Sequence, residues 1–252
     1  WATAAQMAAE ARQGFTLMTN AQYMTGFNDY TNPEWIWGIK QQEDQTTHFY
    51  SFFAYMSGNY NSTNIRTNPK AINSKLYDMI TATDVRKQLW DPTGRNTAFP
   101  IPPNGSRFPY MNRKFLVANT ALSIGDLPLM RTAEMYLAQA EALARQGGKD
   151  AEAQKVLFDL VSKRDPAYLQ TEKTGQLLID EIMIQRRIEL WGEGFRFYDL
   201  KRTNSPLDRN GANHNVSLAV VYDVPANDKR WQFLIPQVEI NNTNGVVEQN
   251  PL

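Results

Sequence analysis

Acidic and basic side chains gather in two parts of the chain. Glu134 and Glu141 fall seven positions apart, two turns along one helix face. Glu189, Glu193 and Asp199 follow further on. Two carboxylates about 5 to 9 Å apart can hydrolyse a glycosidic bond, provided one keeps its proton near neutral pH. Arg131, Arg186, Arg187, Arg196 and Arg202 are interleaved with these acids. Guanidinium neighbours depress a carboxylate's pKa and bind it in forked pairs. The pattern therefore predicts structural ion pairs that lock helices together, with no general acid among them. His48 and His214 have no partner at metal-ligand spacing and read as loop residues. There is no cysteine, which excludes disulfides, thiolate nucleophiles and Cys-ligated metals. Gly192-Glu193-Gly194 lacks the lysine, the spacing and the preceding strand of a phosphate cradle. No Gly-x-Ser-x-Gly elbow occurs either. No catalytic residue, cofactor or metal is expected.

Aromatic residues offer a different chemistry. They make up 12% of the chain, and several lie outside the clear helices. Tyr60, Trp90, Phe99, Phe108 and Tyr110 sit in or beside loops that also carry Asn61, Arg66 and Arg107. Flat rings pack on the C–H faces of a sugar, while amide and guanidinium donors fix its hydroxyls. These eight residues form the predicted ligand-binding set. The alternative is that each ring anchors a long loop to the core. Trp35 and Trp37, alternating in an apolar segment, read as core.

The elements that must hold these residues follow from periodicity. Trp1–Met18 reads as a helix with an alanine-rich stripe at Ala4, Ala8 and Ala11. Thr19–Pro33 is rich in Asn, Thr and Gly, hence loop, and Glu34–Lys40 reads as extended. Ile72–Trp90 is helical in part, and the five prolines of Asp91–Pro109 forbid regular structure there. A helix with Asp126 as N-cap and Pro128 in its first turn is predicted to run to Gly147-Gly148. A second helix, capped by Asp150, ends before Pro166. Two helices around a glycine turn match the size of a tetratricopeptide (TPR) unit. A third helix, Gln176–Trp191, is apolar around much of its girth, and Phe195–Lys201 forms an aromatic continuation. Arg202–Lys229 reads as loop, Trp231–Ile235 as extended, and the remainder as a polar tail.

The chain has 252 residues, 26 basic and 26 acidic, so its formal charge is zero. Neutrality argues against a nucleic-acid partner, which requires a clustered basic surplus. With 42% hydrophobic residues it can bury one large core or two modest ones. No apolar run approaches the roughly 18 to 20 residues of a membrane helix. A repeat architecture needs about three stacked units. The alanine-striped first helix lacks a neighbour in sequence, which predicts that the chain is the C-terminal part of a larger helical protein.

The run from Asp126 to Ala144 resembles the SusD/RagB family of outer-membrane nutrient-binding lipoproteins. The family's Arg-x-Ala-Glu-x-x-Leu-x-x-Ala-Glu-Ala helix is matched by Arg131, Ala133, Glu134, Leu137, Ala140, Glu141 and Ala142. A second motif is matched by Arg186, Arg187, Glu189, Leu190, Glu193, Gly194, Arg196, Asp199, Leu200 and Arg202. Phe233–Ile240 and then Gln249-Asn250-Pro251 resemble its closing pattern, with Asp84-Val85-Arg86 and Lys114-Phe115 as further landmarks. The resemblance covers most of residues 30–252. It implies a mostly α fold of TPR-like helix pairs with a loop-rich, irregular ligand-facing part. On that reading 1–18 is a partial TPR-like helix, 19–125 the ligand region, 126–202 the helical core, and 203–252 a loop and tail. It further implies capture of an oligosaccharide or other nutrient without cleavage, for delivery to a TonB-dependent outer-membrane transporter. Cell-surface attachment would run through an N-terminal lipid anchor absent from this chain. Two alternatives remain: a TPR-type docking scaffold for the transporter, and a carboxylate-dependent glycosidase, which the arginine-rich surroundings disfavour.

Overall fold

The structure, a computed structural model, describes residues 1–45 and 48–250. The side chain of His48 and the Pro251 of the closing motif lie outside the described residues. The chain forms two compact units, residues 1–190 and 191–252.

In the first unit the elements are α1 (Ala2–Ala11), α2 (Asn20–Tyr23), β1 (Trp35–Ile39), α3 (Phe52–Met56), α4 (Thr63–Thr67) and α5 (Ser74–Asp78). There follow β2 (Trp90–Asp91), β3 (Met111–Asn112), β4 (Leu127–Arg131), α6 (Thr132–Ala144), α7 (Asp150–Arg164) and α8 (Gly175–Glu189). The class is mostly helical, as the residue pattern predicts. α6 lies at the centre, packed against α1, α7 and α8. Its Ala133, Leu137 and Ala140 are fully buried, and Ala5 and Ala8 of α1 are buried too. Alanine on both helices permits close approach. Gly147 and Gly148, at φ +73° and +69°, turn the chain from α6 into α7. Left-handed backbone of this kind is open to glycine at no steric cost, and the TPR-like pair forms where the glycines stand.

Four expectations need correction. The first helix stops at Ala11, well short of Met18, and Gly14 adopts φ +84° just beyond it. Asp126 does not cap α6. Residues 127–131 form β4, in which Pro128 faces Gly38 of the antiparallel β1, and the helix starts at Thr132. Asp150 is the first residue of α7, and Lys149 holds the cap position. Trp35 is buried, but Trp37 is 63% exposed. The β1–β4 register shifts twice around Trp37, breaking the alternation that would bury both rings on one side.

The second unit contains α9 (Phe195–Arg202), a minimal hairpin of β5 (Leu207–Asp208) and β6 (Asp223–Val224), and α10 (Gln237–Asn242) in what reads from sequence as a polar tail. Extended backbone after Trp231 is held by amide side chains. Gln249 exchanges two hydrogen bonds with the backbone of Ile235, at 2.9 and 3.0 Å, and Asn250 Nδ2 donates to Phe233 O at 2.7 Å.

Candidate functional site

Of the carboxylates that could have done acid–base chemistry, Glu134, Glu141, Glu189 and Asp199 are built into ion pairs. Glu189, at the end of α8, is fully buried. Its Oε1 accepts from Arg131 at 2.7 Å and Arg164 at 3.2 Å, and its Oε2 from Arg86 at 3.2 Å. Glu34 bridges Arg131 at 2.6 Å and Arg164 at 2.7 Å. Asp84 pairs with Arg86 at 2.6 Å. Burial would raise the Glu189 pKa, yet Arg164, Arg131 and Arg86 outweigh it and hold the carboxyl well below the usual range. Glu141 pairs with Arg145 at 2.8 Å, Glu134 lies 3.9 Å from Arg186, and in the second unit Asp199 pairs with Arg202 at 2.8 Å. A general acid needs a raised pKa. This cluster joins β1, β4, α7 and α8 instead. The ion-pair argument from sequence missed five members of it, Glu34, Asp84, Arg86, Lys114 and Arg164, although Asp84, Arg86 and Lys114 stand among the family landmarks.

The predicted ligand loops close on themselves. The rings of Tyr60, Trp90 and Phe99 are buried, so they anchor their loops as the alternative reading has it. Tyr60 packs against Phe49, with ring centres 6.4 Å apart. Tyr110 is half-buried, at φ +62°, against Tyr77. Phe108, Asn61, Arg66 and Arg107 are exposed. Both guanidinium groups are already engaged: Arg66 donates to Asn61 Oδ1 at 2.6 Å and Arg107 to Asn96 O at 2.8 Å. Ser106 Oγ donates to Arg66 O at 3.1 Å, which brings the two loops side by side. Asp91 gives the proline-rich loop its shape by accepting from Thr93 N, Thr93 Oγ1 and Asn96 N at 2.7 to 3.0 Å. Burial opposes the charge on Asp91, but these donors win and its pKa falls. The space among Asp91, Phe99, Arg107 and Phe108 has no room for a water molecule.

An open cleft of about 550 Å³ lies elsewhere in this unit, between the end of β1 and loop 118–126. Its walls include Asn28, Lys40, Gln41, Glu43, Asn119 and Asp126. Asp126 organises it: Oδ2 accepts from Tyr30 N at 3.0 Å and Oδ1 from Gln41 N at 2.8 Å. Asn28 Nδ2 donates to Leu116 O at 2.8 Å, and Asn28 O accepts from Asp126 N at 2.9 Å. Gly125 lets the loop lie flat on the core, since a Cβ there would fall 2.6 Å from the Phe53 ring. Asn119 Oδ1 accepts from Ala121 N at 2.9 Å, and its Nδ2 donates to Glu43 at 3.4 Å. Gln41 Nε2 and the Thr120 hydroxyl have no hydrogen-bond partner among the described residues. Tyr30 stands exposed beside Lys40, whose ammonium is 4.6 Å from the ring centre. Amide donors, a carboxylate acceptor and one accessible ring suit a polyhydroxylated ligand. Nothing in the spacing of these residues marks them in sequence. Their only signal is an Asn- and Tyr-bearing loop before β1.

The SusD family pattern matches residues 7–252. The chain belongs to the SusD family. No curated protein matches it. Among solved structures it is similar to a SusD-like carbohydrate binding protein from Bacteroides vulgatus, with 26% identity and a TM-score of 0.78, covering 100% of this chain and 56% of that one. It is similar in fold to a SusD superfamily protein from Bacteroides thetaiotaomicron (22% identity, TM-score 0.77, 98% of this chain, 56% of that one). A third similar structure is surface glycan-binding protein A from Bacteroides thetaiotaomicron in complex with laminarihexaose (20% identity, TM-score 0.66, 98% of this chain, 59% of that one). The chain thus spans little more than half the length of these SusD relatives. Within this SusD-family chain, the motif residues Arg131 and Glu189 are the centre of the buried ion cluster, so the motif marks scaffold.

Proposed function

We propose that this SusD-family chain binds a glycan in the cleft between β1 and loop 118–126 and does not cleave it. The observation that carries the reading is the cleft itself: about 550 Å³ of open space walled by amide, hydroxyl and carboxylate groups, with Tyr30 beside its Lys40 wall. Carboxylates held among arginines supply no acid for hydrolysis. Two similar structures are described as carbohydrate- and glycan-binding proteins, one of them in complex with laminarihexaose. The protein acts at the outer-membrane surface, held by a lipid anchor, and passes its ligand to a TonB-dependent transporter. No helix among the described residues is long and apolar enough to cross a membrane, and such tethering requires none. Isothermal titration against host and plant oligosaccharides tests this reading. Saturable heat that is lost in Asn119→Ala supports it. Silence across the panel, or binding that Asn119→Ala leaves untouched, contradicts it.

A docking role is the second reading. It is favoured by exposed apolar side chains in residues 191–252, where Tyr198, Phe233, Leu234 and Val238 are each more than half accessible. Retention of a transporter in a pull-down, with no small ligand bound, would favour it over the glycan reading.

A further inference from the structure

Charge is unevenly distributed along the chain. Between Arg66 and Lys114 stand nine basic and three acidic residues, a surplus of six in a chain whose formal charge is zero. Four of these twelve are buried and cancel: Arg86 pairs with Asp84, Lys114 donates to Glu189 O, and Asp91 accepts from its own loop. Seven cations are left exposed or half-buried, against one exposed acid, Asp78. None of the seven is in an ion pair among the described residues. A lone unpaired lysine is common, as Lys163 on α7 shows. The surplus is what sets this region apart.

The fold gathers these cations around one small frame. β2 pairs with β3, and Ala71 also pairs with Met111. Lys70 precedes Ala71, and its carbonyl accepts from Asn112 N at 3.3 Å. Arg113 follows β3 and donates its main-chain N–H to Leu89 O at 2.8 Å. Lys87 Nζ lies 4.6 Å from the Tyr77 ring centre, and that ring packs on Tyr110 at 5.5 Å. Arg66 and Arg107 belong to the two loops that Ser106 ties together. Two of the cations are short of partners. The Arg113 guanidinium has no acceptor among the described residues, its Nε is buried, and the Phe99 ring centre is 5.7 Å away. Lys70 Nζ has Asn68 O at 3.1 Å. Burial lowers the pKa of both, and no acid offsets it.

The space among Asp91, Phe99, Arg107 and Phe108 has no room for a water molecule, so the surplus is spread over a surface and fits an extended polyanion. Stacked bases lack a platform there, because Tyr60, Trp90 and Phe99 are buried and Tyr77 and Tyr110 pack on each other. Asn61, Asn96 and Asn104 are exposed among the cations, and their amides suit hydroxyl groups. Taking its ligand class from the glycan reading above, we infer that this face holds a polyanionic glycan, with uronate carboxylates or sulfate esters laid across Lys70, Lys87, Arg107 and Arg113. The contact is separate from the cleft, whose charged walls, Lys40, Glu43 and Asp126, sum to a net negative charge.

The test is biolayer interferometry of the full chain on immobilised polygalacturonate, dextran sulfate and neutral dextran. Four ion contacts with a flexible strand correspond to a loss of about 50-fold in affinity between about 50 and 200 mM salt. The expected result is binding to an acidic polymer with a salt dependence of that order, and none to dextran. Whether polygalacturonate or dextran sulfate binds separates uronate from sulfate. Lys70→Gln combined with Arg113→Gln should weaken binding about fivefold or more. Lys149→Gln combined with Lys163→Gln removes the same charge elsewhere and should change it less than about twofold. Thermal melts report on folding, and if the first pair melts early, Lys75→Gln with Arg95→Gln, on exposed side chains, takes its place. Acidic polymers that bind no better than dextran overturn the inference, while neutral oligosaccharides titrating into the cleft would leave the glycan reading in place. An equal loss in the Lys149 and Lys163 variant overturns it too, since net charge alone would then be read. Poly-glutamate held as tightly as the acidic glycans makes the partner an acidic protein segment and overturns it as well.

Discussion

Arg131 grips Glu189 twice, donating through Nη1 to the carboxylate at 2.7 Å and through Nη2 to the main-chain carbonyl of the same residue at 2.6 Å. One guanidinium thereby fixes both the side chain and the terminal carbonyl of α8. That carbonyl is among those a helix end leaves without an internal partner, and Lys114 Nζ also donates to it, at 2.8 Å. The Tyr23 hydroxyl approaches it at 3.4 Å. The two family motifs meet in this pair, which joins β4 to the end of α8.

Glu189→Gln should be strongly destabilising. It removes the charge shared by three buried guanidinium groups, and breaking a buried pair from one side costs about 3 to 5 kcal/mol. Urea unfolding monitored by circular dichroism measures it. A loss below about 1 kcal/mol would mean that the cluster tolerates an uncompensated cation.

Stability should fall on acidification. The Glu189 pKa is held well below its ordinary value of about 4.3. Between those two values the unfolded chain binds the proton and the native chain does not, so stability rises with pH there. It is fully present above the unfolded pKa and drains away as pH drops towards the native one. Unfolding midpoints taken from pH 6 to pH 3 should be flat at first and then decline below about pH 5. In Glu189→Gln the decline should be shallower, and an unchanged slope would assign it to other carboxylates.

The proline-rich loop offers a contrast between rings. Phe99 is buried and Phe108 is 43% exposed. Phe99→Ala should cost about 3 to 5 kcal/mol, in the range for a buried aromatic, and Phe108→Ala less than about 1 kcal/mol. Thermal melts of the two variants decide it. Similar losses from both would show that Phe108 anchors the loop as well.

Much of the helical frame was legible because its signals are local. Gly147-Gly148 and Pro166 bracket α7, and the spacing of Ala133, Leu137 and Ala140 lays one buried stripe along α6. The α6 start was misjudged because Asp126 has a cap's chemistry but uses it across the chain, on Tyr30 and Gln41. Ion pairing was readable where acids and arginines are neighbours in sequence. Glu34 and Arg164, 130 positions apart, were not, because only the fold makes them adjacent. The direction of the rings in the ligand loops is not legible for a related reason: polar flanking residues do not tell whether a ring turns inward. Tyr60, Trp90 and Phe99 do, whereas Tyr30 and Trp37 turn out.

Asp126→Ala should open the cleft. It deletes an acceptor that ties two segments together, at a cost of about 1 to 3 kcal/mol in stability. Glycan affinity should fall at least about tenfold, because the Gln41 and Tyr30 segments lose their common anchor. Titration calorimetry alongside a thermal melt separates the two effects. Undiminished affinity would place the ligand away from this cleft.

Amide chemical-shift mapping during a glycan titration addresses the location of the site most directly. The account predicts that the largest shifts fall on Asn28, Gln41, Asn119 and Gly125, with Tyr30 at the margin. Shifts concentrated on Asn61, Arg66, Arg107 and Phe108, with the cleft silent, would contradict it.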